Sequence, residues 1–184
     1  MTLQQITLQD YKKKSMPELK KKLGLKNIHQ VPQVDKVVVS IGIGSLATRK
    51  SQKDFTELQD NLAQITGQHP RMVLSKKAIS NFKLRENMPV MLQVTLRREK
   101  AIDFLWRLTT LVLPRVRDFA GLSPKSFDKN GNYNIGLPNY GIFPELKVDD
   151  VSTPVGLQVN ITFTSNNIDH NKEALKTLGF IIKE

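Results

Sequence analysis

The chain contains no cysteine among its 184 residues. Disulfides, thiolate metal sites and cysteine nucleophiles are excluded with it. No apolar run approaches the roughly 20 residues needed to span a bilayer, so no transmembrane helix is expected. Residues 1–10 lack the apolar core of a secretory signal and the Arg/Ser-rich character of a transit peptide. This points to work in the compartment of synthesis. Aromatic residues are sparse, at 7%. The three histidines, His29, His69 and His170, lie far apart without ligand spacing, so no metal or other cofactor is expected. Catalytic signatures are also missing. Ile41-Gly42-Ile43-Gly44-Ser45 follows a strand-like segment, but it lacks the Gly-Lys-Ser/Thr of a Walker loop. A dinucleotide fingerprint needs a third glycine where Ala47 stands. Asp149-Asp150 has no partner acid in a predictable position, and Trp106 lies in a helical stretch where packing explains it.

What is abundant is positive charge. Lys and Arg number 28 against 17 Asp and Glu, a formal net charge of +11. Residues 1–144 carry 24 basic and 11 acidic groups, whereas residues 145–184 carry 4 and 6. A basic body with a near-neutral end is the footprint of polyanion binding, driven by counterion release. Two Gly-, Pro- and Lys/Arg-rich stretches stand out. One runs from Ile65-Thr66-Gly67-Gln68-His69-Pro70 through Ser75-Lys76-Lys77 to Arg85. The other runs from Leu113-Pro114-Arg115 to Gly131-Asn132-Tyr133. Both read as surface built to lie on RNA.

Periodicity outlines the rest. Residues 8–23 read as a very basic helix, part of a basic N-terminal region over 1–30, with Gly24 as its stop. Val34–Ile43, a short segment after Pro70, Val90–Arg97 and Val155–Thr164 read as strands. Ser51–Thr66 reads as a helix capped by Ser51 with Asp54 three residues on, with an inward stripe of Phe55, Leu58, Leu62 and Ile65, ended by Gly67. Ala101–Leu113 reads as a helix ended by Pro114, and Asp169–Leu178 as a last helix before Gly179. Residues 71–85 and 121–141 are expected to be extended loops. The whole chain, 1–184, reads as one α+β domain. It is expected to be an antiparallel sheet with helices on one face, broadly ferredoxin- or RRM-like.

With apolar strand faces turned to the helices, the opposite faces form a polar surface. It carries Ser40, Gly42, Gln93, Thr95, Arg97, Gln158, Asn160, Thr162 and Thr164. Such a face suits hydrogen bonds to sugars and base edges, with phosphates held at the rim. The strands lack the aromatic platform of an RRM, which favours recognition of a folded RNA by shape over stacking of single-stranded bases. From the residues alone, a free-standing RNA chaperone and a small enzyme using the Gly42–Gly44 loop on a phosphorylated substrate remain open.

Ordered blocks narrow this further. They are Val31-Pro32, the strand ending Gly42-Ile43-Gly44, Ile65-Thr66-Gly67-Gln68, Phe82-Lys83-Leu84-Arg85, Val94-Thr95-Leu96-Arg97, Leu113-Pro114-Arg115-Val116-Arg117-Asp118-Phe119, Lys125-Ser126-Phe127-Asp128 with Gly131-Asn132-Tyr133, and Ile142-Phe143-Pro144-Glu145. From about Tyr11 to Phe180 the chain resembles the bacterial and organellar ribosomal protein L five family. The resemblance implies a structural, non-enzymatic protein of the large ribosomal subunit, which binds 5S rRNA and helps attach it in the central protuberance. It brings Gln68, Thr95 and Arg97 to 5S rRNA, alongside the open-face residues Ser40, Gly42 and Gln93. It implies that Ser75, Lys76, Lys77, Lys83 and Arg85 form a loop contacting P-site tRNA. It also implies that Arg115, Arg117, Pro138, Asn139 and Tyr140 serve an inter-subunit bridge to small-subunit protein S thirteen. Further implied partners are 23S-type rRNA and other central-protuberance proteins, with no membrane. The implied location is the ribosome, in bacterial cytoplasm or an organelle. Ser40 stands where the family usually has asparagine. Arg71, Val73, Leu74, Asn81 and residues 137–141 also depart from the family pattern.

Overall fold

The computed structural model describes residues 15–49, 54–146 and 155–183. Its helices are α1 (Met16–Lys22), α2 (Gly44–Arg49), α3 (Thr56–Thr66), α4 (Arg98–Arg107) and α5 (Ile168–Thr177). Its strands are β1 (Val34–Gly42), β2 (Arg71–Leu74), β3 (Pro89–Arg97), β4 (Tyr133–Leu137) and β5 (Leu157–Phe163). The five strands form one antiparallel sheet in the order β2-β3-β1-β5-β4. Without β4, the succession β1-α3-β2-β3-α4-β5 with that order is the split βαβ arrangement of ferredoxin-like folds. The expected α+β class is what the chain adopts.

Alternation explains the strands. Along β1, Val37, Val39 and Ile41 are buried; along β3, Leu92, Val94 and Leu96; along β5, Leu157, Val159, Ile161 and Phe163. The intervening residues of β3 and β5 are part- or fully exposed. One face is therefore apolar and covered while the other is polar and open, as a period of two requires.

Residue contacts divide the chain into two compact units, one comprising Val38–Thr95 with Gly136–Val159 and the other the remainder. In the first, Ile41, Ile43, Phe55, Leu58, Leu62, Ile65, Leu92 and Val94 are buried. Helix α3 begins where the Asp54 carboxylate accepts from the Thr56 N–H at 2.9 Å and the Thr56 hydroxyl at 2.6 Å. These bonds hold the Asp54 carboxyl below its ordinary pKa. Gly67, at φ +66°, closes the helix with its N–H on the Ala63 carbonyl. The expected cap at Ser51 lies outside the described residues.

In the second unit, Leu19, Leu96, Ala101, Phe104, Leu105, Leu108, Ile161, Ala174 and Leu175 are buried. Helix α1 packs on α5. Asn167 caps α5 by accepting from the Asp169 and His170 N–H groups. Residues 8–14 of the expected basic helix, and Asp149-Asp150, lie outside the described residues. Ile181 and Lys183 are joined to Leu122: the Leu122 N–H donates to Ile181 O at 2.8 Å, and the Lys183 N–H to Leu122 O at 2.9 Å.

Three expectations about elements are corrected. First, the stretch 121–141 is not an extended loop. It contains β4, in which Tyr133, Ile135 and Leu137 are buried, and a turn whose Tyr140 is fully buried. Asparagines and Gly136 between those apolar positions mask an ordinary alternating strand. Second, residues 71–85 are not irregular. Beyond β2, Ile79 and Leu84 exchange backbone hydrogen bonds at 2.9 and 3.1 Å around a single 3-10 turn, Ser80–Phe82. Third, the helix before Pro114 ends at Arg107 and gives way to a π turn, Leu108–Val112, with the Leu113 N–H reaching back to Leu108 O. The Thr109 hydroxyl sits 2.9 Å from Trp106 O and 3.1 Å from Leu105 O, competing for the carbonyls of the last α turn.

Candidate nucleic-acid interface

Within the unit built from Val38–Thr95, the expected 5S-contact residues of β1 and β3 fall on the open side with one exception, and Gln68 reaches β3 from the end of α3. Gly42 is exposed, and a Cβ placed there would meet nothing within 4 Å. Gln93 and Thr95 are half-buried on β3, and Gln93 is paired across the ladder with Arg71 of β2. Gln68 follows α3 just past Gly67 and donates from Nε2 to the Thr95 carbonyl at 3.4 Å. Gly67 makes this possible, because its left-handed turn aims the next residue back at the sheet. Gln68 and Thr95, 27 positions apart, are thereby brought together.

The exception is Ser40. Alternation puts it on the open face, yet it is only 6% exposed. Its hydroxyl is not offered at the surface as the sequence suggests. Gly44 does not line a phosphate cradle either. It opens a helix of six residues, and the backbone beside it is engaged by the Ile43 N–H, which donates to Val90 O at 2.9 Å.

The hairpin from Arg71 to Arg85 holds five basic and no acidic residues. Lys76, Lys77, Lys83 and Arg85 are exposed. Ser75 is not. It is buried, its hydroxyl donates to Lys77 O at 2.7 Å, its N–H donates to Met88 O, and its carbonyl accepts from the Asn87 N–H. Ser75 therefore braces the base of the hairpin and is corrected as a contact residue. Lys83 adopts φ +53°, with its N–H on Ser80 O. This left-handed residue turns the chain back toward Leu84. Leu74, Ile79 and Phe82 are exposed on the same hairpin, Phe82 by 73%.

In the other unit, Arg97 ends β3 and forms an ion pair with Asp35 at 3.5 Å, both side chains about half exposed. Such a pair is weak in water, so a phosphate can take the guanidinium with little loss. Asp35 escapes a reading of the sequence because it lies in phase with Val37 and Val39 along β1. Arg98 beside Arg97 has φ +53°. Arg115 and Arg117 are exposed near Asp118, which has φ +55°.

Of the residues expected at an inter-subunit bridge in the 136–159 stretch, Pro138 is exposed. Asn139 is half-buried, and its Oδ1 accepts from the Gly141 N–H at 2.9 Å. Tyr140 is corrected outright: it is 0% exposed, its hydroxyl lies 3.5 Å from Asn61 Nδ2, and burial pushes its pKa up. Its ring is core, and only the residues around it reach the surface.

An α+β protein with an open polar sheet face and a hairpin whose charges are all positive has the surface chemistry of the class of proteins that lie on structured RNA. Comparison with known proteins gives the family. Residues 27–85 match the family model described as "Ribosomal protein L5", and residues 89–182 match the model of the same ribosomal family's C-terminus. The protein is 42% identical over 182 residues to the large ribosomal subunit protein uL5 of Thermosipho africanus, covering 98% of this chain and 99% of that one. It is 46% identical over 171 residues to the large ribosomal subunit protein uL5c of Gracilaria tenuistipitata var. liui, covering 92% and 93%. To uL5 of Halothermothrix orenii it is 41% identical over 174 residues, covering 95% and 96%. The chain belongs to the ribosomal protein L5 family, a structural component of the ribosome and not an enzyme.

Proposed function

We propose that the protein is a structural constituent of the large ribosomal subunit that docks on 5S rRNA and helps attach it in the central protuberance. It works on ribosomes of bacterial cytoplasm or of an organelle, as its relatives' names and sources suggest. The observation that carries the 5S reading is the juxtaposition of Gln68 and Thr95 at the open, polar side of the sheet, to which Gly42 adds a bare, solvent-facing stretch of β1. Gln68, Gln93 and Thr95 supply donors and acceptors for sugars and base edges. Gly42 allows a backbone to approach closely. Arg97 neutralises phosphate. Ser40 contributes from beneath the surface, by its packing and not by a direct contact.

The hairpin bearing Lys76, Lys77, Lys83 and Arg85 forms a second, strongly basic RNA contact, which the family resemblance assigns to P-site tRNA. Arg115, Arg117 and Pro138 are the exposed residues left to meet small-subunit protein S thirteen. Contacts with 23S-type rRNA and neighbouring central-protuberance proteins follow from the same placement.

The test is binding of the full chain to 5S rRNA and to a tRNA, at two salt concentrations, with wild type and Arg97→Ala. The expected result is a 5S preference that survives the higher salt and falls roughly tenfold in the variant, the effect of losing one charge-assisted contact. Equal binding to both RNAs, steeply salt-dependent and indifferent to Arg97, would instead fit a free-standing RNA chaperone.

A further inference from the structure

The hairpin tip carries a feature that charge does not explain. Phe82 is the only aromatic among the large, exposed apolar residues described, and it is the most exposed of them at 73%. It overhangs a half-open cleft of about 460 Å³ lined by Gly44, Ser45 and Thr48 of α2 and by Asn81, Phe82 and Lys83 of the hairpin. The walls are of three kinds. One is an aromatic face. The second is a set of small polar groups: the Ser45 hydroxyl, the Asn81 amide and Thr48, whose hydroxyl donates to Gly44 O at 2.8 Å and so presents lone pairs. The third is a single cation, Lys83.

We propose that this cleft takes one unstacked nucleobase of a folded RNA, with the Phe82 ring as its platform and Lys83 on the adjoining phosphate. The inference rests on the RNA-binding reading and deepens it at one site. The size fits a base with its ribose, at the lower end of ligand pockets. An aromatic face beside small donors and acceptors is what a base requires, because every base has a π-face and polar edges. The charge of the surroundings chooses the occupant. With five basic and no acidic residues from 71 to 85, a polyanion is drawn to the tip. An apolar protein side chain would gain nothing from those charges. The geometry of the tip also serves this use. The Ser80–Phe82 turn, closed by the left-handed Lys83, leaves Phe82 outward where a continuing strand would have offered it a covered face.

The sheet's aromatic residues, Tyr133 and Phe163, are buried, so among the described residues the hairpin and not the sheet supplies the exposed stacking platform. Shape and hydrogen bonding at the sheet and stacking at the hairpin are thus separate modes on separate elements.

The experiment uses the full chain and two RNA hairpins, identical except that one carries a single bulged 2-aminopurine and the other an abasic site at that position. Wild type is expected to bind the base-bearing RNA about tenfold more tightly and to quench 2-aminopurine fluorescence. Phe82→Leu is expected to abolish both the preference and the quenching, Phe82→Tyr to keep them, and Lys83→Ala to weaken both RNAs alike. Because the Phe82 side chain is exposed, Leu at this position leaves the fold intact, which circular dichroism verifies. Firm binding of both RNAs with no preference, unchanged in Phe82→Leu, overturns the stacking proposal while leaving RNA binding standing. Failure to bind either RNA hairpin while 5S rRNA still binds overturns this proposal alone, and failure to bind the RNA hairpins and 5S rRNA alike overturns the RNA-binding reading with it.

Discussion

Single residues here divide into those that face a partner and those that hold the fold. Gly131 belongs to the second group. It sits at φ +77°, and a Cβ there would lie 2.6 Å from Asn171 Nδ2. That amide donates to Gly131 O at 2.9 Å and to Ser165 O at 2.7 Å from a side chain with no exposure. Gly131→Ala is therefore expected to destabilise the protein by on the order of 2–4 kcal/mol, read as a shift in the urea midpoint, since it strains the turn and unpairs a buried amide together. Gly42 contrasts with it. Nothing of the chain lies near its missing Cβ, so Ala there leaves stability unchanged and tells only on RNA affinity. The sequence makes both glycines visible but cannot sort them, because what separates them is a neighbour distant along the chain. Ser40, Ser75 and Tyr140 mislead for the same reason. A polar residue at a surface-like position announces its hydrogen-bonding capacity and not who has already used it.

Elements are legible in proportion to how regularly they alternate. Strands β1, β3 and β5 and helices α3 and α5 follow the periods of two and 3.6, so their buried sets are predictable almost residue by residue. Strand β4 hides behind Asn134 and Gly136, and the hairpin behind its lysines, because local composition speaks for loops while backbone pairing decides otherwise. The start of α3 gives a pH-dependent prediction. The Asp54 carboxyl is held below its ordinary value of 3.8 by the Thr56 side-chain and backbone bonds. Its contribution to stability is thus fully present above that value and is lost as pH falls through the lower folded-state value. Asp54→Ala should lower the urea midpoint near neutral pH, and the gap to wild type should close as pH drops below about 4. A gap that stays constant to the acid limit would show that the carboxylate's charge is not what supports the start of the helix. Asp128 behaves alike. Burial pushes its carboxyl up, but the Asn132 side chain and the Asn132 and Asn130 N–H groups together outweigh that and hold it low.

At the scale of the whole molecule, the charge of +11 predicts how binding responds to salt. The logarithm of the association constant should fall linearly with the logarithm of salt concentration. Replacing Lys76, Lys77 and Arg85 by Ala should flatten the slope by roughly one unit per lost phosphate contact. It should leave the preference among RNAs intact, because the sheet residues set it. An unchanged slope would mean that these side chains do not reach phosphate. The joining of Leu122 to Ile181 and Lys183 acts on a different clock. The segment around Leu122 is synthesised long before its partners, so during translation its backbone groups wait unpaired until residues 181–183 leave the exit tunnel. This part of the protein therefore locks only after residues 181–183 have been made. Until it does, Gly121, whose missing side chain leaves room for Ile181 O, marks a gap in the nascent fold that only the arriving chain can close.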